Sequence, residues 1–222
     1  MIKKGEPGVV NVMSSFFWRK RWLVRGLVLT AMLIAVSQPF AMPSSFDANE
    51  VAVAETNMWK AYYTGNAPVL VGHLVGLLHS QFDIPLQRTQ PIAGLLAKAA
   101  MNFRMARSNY DVVVLPDLKK AYYLLQQALD ESFDPERVAR ADLAWWVARR
   151  TPGQNSPETV GKKIAAYYTA LYGKNHPDFQ NAGILRAKAA DVRDASGKQV
   201  NWQQIEKLLK QSYTVLVRAL SA

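Results

Sequence analysis

The sequence predicts an all-α protein: a duplicated four-helix unit, about eight helices in all, behind an N-terminal signal or anchor segment. Three observations carry that prediction. Residues 16–45 read FFWRKRWLVRGLVLTAMLIAVSQPFAMPSS, a basic block running into a short uncharged stretch. Further on, segments about 90 residues apart match each other in the same order. Within both copies, apolar residues recur at helical spacing.

At the N-terminus, Arg19, Lys20, Arg21 and Arg25 precede Gly26–Val36, which holds no charge and a single hydroxyl, Thr30. That run fits the apolar core of a signal peptide and is short for a bilayer span of about 20 residues. Cleavage after Ala41 is offered, although it would put Pro39 unfavourably at the third position before the cut. The alternative is an uncleaved anchor reaching Met42. Both readings keep the basic flank in the cytoplasm and send the rest out, to the periplasm or to its side of the cytoplasmic membrane. Residues 1–41 are therefore set apart, and Met13 is an alternative start. The chain carries a formal net charge of +10, but the 21 basic and 16 acidic residues after position 41 leave only +5. A body so mildly basic needs no nucleic-acid partner. The absence of cysteine excludes a disulfide framework and thiolate metal sites.

The repeat is read in four steps. Val51, Ala54, Glu55, Trp59 and Ala61 face Val138, Ala141, Asp142, Trp146 and Ala148 at an offset of 87. NAPVLVG (66–72) faces NSPETVG (155–161) at 89, and LLAKAA (95–100) faces LRAKAA (185–190) at 90. LKKAYYLLQQAL (118–129) faces LKQSYTVLVRAL (209–220) at 91. An offset that only grows is what small loop insertions in a duplicated unit produce. The units are placed at 48–130 and 135–222, packed as one body.

Helices are expected at 47–63, 68–81, 90–108 and 114–130, then at 135–150, 157–172, 177–194 and 201–220. Leu118, Tyr122, Leu125 and Leu129 share a face, as do Leu209, Tyr213, Leu216 and Leu220. Ser156-Pro157-Glu158 supplies a capping hydroxyl, a proline at the first helical position and an acid for the dipole. Asn201 is a second cap. The stretch DVVVLP (111–116) has the composition of a strand start, but Pro116 and the helical match in the second unit favour a late or kinked helix start. Gly72 and Gly76 fall within a helix, where they are expected to admit a close neighbour. The helices are expected to form a bundle about a pseudo-twofold axis or a short array of hairpins.

LRAKAADVRD and NWQQIEKLLKQSY, together with the WW-x-x-R helix of Trp145, Trp146 and Arg149, are similar to exported all-helical bacterial proteins of unknown function. The resemblance spans most of the chain after residue 48. It implies no activity, cofactor or site.

An acid stands inside an apolar stripe twice. Val138, Asp142, Trp146 and Arg149 fall within an arc of about 80° on a helix, and Glu55 and Trp59 stand at the matching places. A buried carboxylate needs a partner, and Arg104 and Arg193 are the expected ion-pair partners. Glu55, Trp59, Asp142, Trp145, Trp146 and Arg149 are the candidate ligand- or partner-binding residues. Trp59→Ala and Trp146→Ala are expected to cost about 3–5 kcal/mol each, and Trp145→Ala less. No catalytic constellation is present. His73, His79 and His176 lack metal-ligand spacing, and no nucleotide loop or nucleophile elbow appears, so neither metal nor cofactor is expected. Basic pairs such as Lys119-Lys120 and Lys162-Lys163 read as solvated faces, with contact to an anionic membrane surface as the alternative. The functional expectation is an exported, non-enzymatic binding or scaffold protein with a protein partner or self-association. The alternative is an exported helical enzyme or small-ligand receptor that uses paired acids and arginines between the units.

Overall fold

The computed structural model describes residues 43–197 and 199–222, all within the unit Ser37–Ala222. The segment read as a signal peptide or anchor lies outside the described residues. Among the described residues there are nine helices and no strand. The first half comprises α1 (Ala48–Thr64), α2 (Ala67–Phe82), α3 (Leu86–Met105), the single turn α4 (Tyr110–Val113) and α5 (Leu115–Leu129). The second half comprises α6 (Pro135–Arg150), α7 (Pro157–Tyr172), α8 (Asp178–Ala195) and α9 (Trp202–Ser221). No helix among the described residues is long and apolar enough to cross a membrane.

Local chemistry sets the ends. Asp47, Asp134, Ser156 and Asn201 each accept a backbone N–H of the first turn that follows, and so satisfy donors with no intrahelical partner. DVVVLP is helical throughout its first part: α4 ends at Val113, the chain bends at Val114, and Pro116 sits in the first turn of α5. A proline there removes a donor that would be unpaired anyway. The third helix begins at Leu86, earlier than the expected 90, with Pro91 inside it. The turn before Pro91 is helical, and Thr89 Oγ1 bonds back to the Leu86 carbonyl at 2.8 Å.

Each long helix packs on the next along the chain, and α9 packs on α1, so the eight close into a bundle. The pairings α1–α2, α2–α3, α3–α5 and α5–α6 in the first half have the counterparts α6–α7, α7–α8, α8–α9 and α9–α1. The main core is built from Leu118, Val138, Ile164, Phe179 and Leu216, all at most 1% exposed. In the two AKAA segments the alanines Ala97, Ala99, Ala187, Ala189 and Ala190 are buried, and the lysines Lys98 and Lys188 are exposed.

The close helix contact does not lie at Gly72 and Gly76, as the sequence suggested. A Cβ at either would meet nothing within 4 Å. The contact lies in the second half. A Cβ on Gly161 would stand 2.6 Å from Ile184 Cγ1, and one on Gly183 would stand 2.3 Å from the Gly161 carbonyl oxygen. Gly183→Ala should therefore push α7 and α8 apart and cost about 1–3 kcal/mol. Gly72→Ala should gain about 0.5–1 kcal/mol, because alanine restricts the unfolded chain and meets no neighbour. Urea unfolding of the two variants checks both signs.

Candidate functional site: a buried acid, arginine and tyrosine network

Both acids are buried, Glu55 at 2% exposure and Asp142 at 6%. Each is fully engaged, by different means. Glu55 Oε1 accepts Arg186 Nε at 3.0 Å and Nη2 at 2.5 Å, and the indole N–H of Trp59 at 3.2 Å. Its other oxygen, Oε2, accepts the Tyr213 hydroxyl at 2.5 Å. Asp142 Oδ2 accepts the Tyr122 hydroxyl at 2.8 Å, and Oδ1 accepts the indole N–H of Trp145 at 2.8 Å. Tyr122 and Tyr167 hydroxyls stand 3.2 Å apart. The Arg186 guanidinium lies over the Trp145 ring at 4.9 Å and so joins the two clusters.

The residues arrive from all round the bundle: Glu55 from α1, Tyr122 from α5, Asp142 and Trp145 from α6, Tyr167 from α7, Arg186 from α8 and Tyr213 from α9. Tyr122 and Tyr213 occupy aligned positions, and each closes its half by binding the acid on the following helix of the circuit. The one guanidinium pairs with Glu55 and acts on Asp142 only at longer range. Burial pulls the Arg186 pKa down, but the Glu55 carboxylate, Tyr213 and Tyr168 together outweigh it and hold the group well above its ordinary value. Burial pushes Asp142 up, against the Tyr122 hydrogen bond and the Arg186 charge. Burial and the neighbouring Asp142 also raise Tyr122 well above a free tyrosine.

These assignments correct the expected ion pairs. Among the described residues neither Arg104 nor Arg193 pairs with an acid. Arg104 stands against Gly65, and Arg193 lies 3.8 Å over the Tyr63 ring. Both sit near the ends of α3 and α8, too far along their helices to meet acids in the middle of α1 and α6. Arg186 is two turns earlier on α8. A signal for it existed: LLAKAA and LRAKAA differ only at Leu96 and Arg186, one uncompensated charge at the only mismatch.

The tryptophans also change places. Trp145 is buried at 6% exposure, whereas Trp59 and Trp146 are half-buried. Seven residues turn a helix about 700°, so Trp145 lies about 20° from Val138 and Trp146 about 80° from it. Trp146 packs at the edge, 5.3 Å from the Phe103 ring. Arg149 leaves the acid stripe altogether and bonds Tyr63 Oη at 3.1 Å and Asp194 Oδ2 at 2.8 Å.

Burial makes Asp142 a pH-dependent element of stability. A carboxyl that is easier to protonate folded than unfolded contributes stability that is complete below its unfolded value, near 3.8, and is lost as pH rises through the higher folded value. In Asp142→Asn the Tyr122 hydroxyl can turn toward Tyr167, leaving the amide a place. The variant's stability relative to the parent should therefore rise from pH 4 upward, as read by urea unfolding. A difference independent of pH would contradict this.

Two open clefts, about 560 and 520 Å³, lie elsewhere, on either side of the α4–α5 junction. They are lined by residues such as Lys98, Asn102 and Val113 on one side and Lys119, Tyr123 and Arg140 on the other. The described residues hold no group of three His, Asp or Glu side chains able to bind a metal ion. No protein-family model, curated protein or solved structure matches the chain.

Proposed function

We propose that this is an exported, non-enzymatic helical binding or scaffold protein, built from a duplicated four-helix unit, that acts in the periplasm or at the outer face of the cytoplasmic membrane. The observation that carries this reading is the fate of the two acids. Glu55 and Asp142 are the paired acids that an enzyme or receptor site between the two halves would use, and both are committed to interior hydrogen bonds, away from the open clefts. A general acid or base must reach a substrate proton. The two most exposed large apolar side chains among the described residues, Met105 at 73% and Val112 at 74%, stand at and beside α4, where a partner can meet them. The basic block and uncharged run of residues 19–36 support export.

The test is a fusion of alkaline phosphatase, which is active only outside the cytoplasm, to Ala222 in a bacterial host. The full chain should give an active fusion, and deletion of residues 16–41 should silence it. An active fusion after that deletion, or an inactive one before it, would contradict export. Crosslinking in cells followed by mass spectrometry then looks for a stoichiometric protein on the α4 side.

A further inference from the structure

We infer that the end of the bundle where α1, α3, α6 and α8 terminate binds a phosphate group. Arg149, Arg150 and Arg193 gather there around the hydroxyls of Tyr62 and Tyr63. Arg150 Nη2 donates to Tyr62 Oη at 2.9 Å, Arg149 Nη2 to Tyr63 Oη at 3.1 Å, and Arg193 stacks on the Tyr63 ring. Against three guanidinium groups stands one ion-paired carboxylate, Asp194, 2.8 Å from Arg149. Asp191, one turn earlier, lies within electrostatic reach of Arg149 without pairing. Arg104, against Gly65 at the end of α1, adds a further cation with no acid partner.

Helix C-termini account for some of this charge, since their carbonyls favour cations. Arg150 uses them, donating to the Phe103 and Ala106 carbonyls. They do not account for Arg193. Its Nε is buried with no acceptor, as is Arg149 Nε, and among the described residues the Arg193 side chain makes no hydrogen bond or ion pair. Like charges held together with donors to spare are stabilised by an anion, and guanidinium forks match the oxygens of phosphate or carboxylate. A phosphate group offers its oxygens to several guanidinium forks at once, which favours it over a single carboxylate. The cluster joins the end of the first half's leading helix to the end of the second's, so a bound phosphate would also tie the halves together.

This inference deepens the binding-protein reading and rests on it, but not on export: it is tested on purified protein, so its failure leaves the fusion result standing. The full chain, in neutral detergent, is titrated calorimetrically with inorganic phosphate and, separately, with glycerophosphoglycerol, the headgroup of an anionic lipid without its acyl chains. Phosphate should bind saturably. Arg193→Gln should weaken it about tenfold or more, and Lys162→Gln on α7 should leave it unchanged. Asp194→Asn, which removes the competing carboxylate and keeps every arginine, should tighten it several-fold. Binding of glycerophosphoglycerol alone, with the same variant pattern, supports the site and identifies a lipid headgroup as its source. No saturable binding of either probe, or binding indifferent to Arg193→Gln, overturns the inference. Should Arg193→Gln fail to fold, Asp194→Asn decides: unchanged or weaker binding overturns it.

Discussion

Replacing Arg186 with leucine, the residue at the aligned position 96, should destabilise the protein by about 3–5 kcal/mol. Leucine fits the surroundings of the first half, so shape is not the difficulty. The difficulty is Glu55, whose side chain is 3% exposed and would keep only the Tyr213 and Trp59 hydrogen bonds. A buried carboxylate deprived of its cation has no route to water. Asp142 would lose the same positive charge at longer range. In a chain of this size each kcal/mol moves the melting temperature by about 2–4 °C, so the change is large in a thermal scan. A loss below about 1 kcal/mol would mean that the pair is effectively solvated, as surface pairs are.

Trp145→Ala should cost about 3–5 kcal/mol, and Trp146→Ala clearly less. Trp145 fills core volume, donates its indole N–H to Asp142 and presents the ring on which Arg186 lies. Its loss opens a cavity and leaves a buried oxygen without its donor. Trp146 gives up mainly an edge contact with Phe103 and partial burial. Urea unfolding of both variants orders them. Equal losses, or a larger loss at Trp146, would show that the second indole carries the core.

Much of the fold was legible because helical spacing and end chemistry act locally. Ser156 and Asn201 cap where their residue types say they should, and α6 and α7 begin and end at the expected residues. The candidate site was legible only in part. The position of Glu55 and Asp142 within apolar stripes announced buried acids, and both are buried. Which cation meets Glu55 depends on how far along α8 the bundle places it, and no local rule states that distance. Asp142 shows the other limit: it needs no ion pair, because a tyrosine hydroxyl and an indole suffice. The glycines failed for a similar reason. Gly72 and Gly161 are aligned, and α3 carries Gly94 as α8 carries Gly183, yet only Gly161 and Gly183 meet at a helix crossing.

A double-mutant cycle on Glu55→Gln and Arg186→Leu tests most directly whether Glu55 is an acid held for structure. If the pair is the internal tie between α1 and α8, the double variant should lose less than the sum of the single losses, by about 1–3 kcal/mol. Losses that add within about 0.5 kcal/mol would mean that the two side chains act independently. Glu55 would then be available for another role, and the case for a non-enzymatic protein would lose its main support.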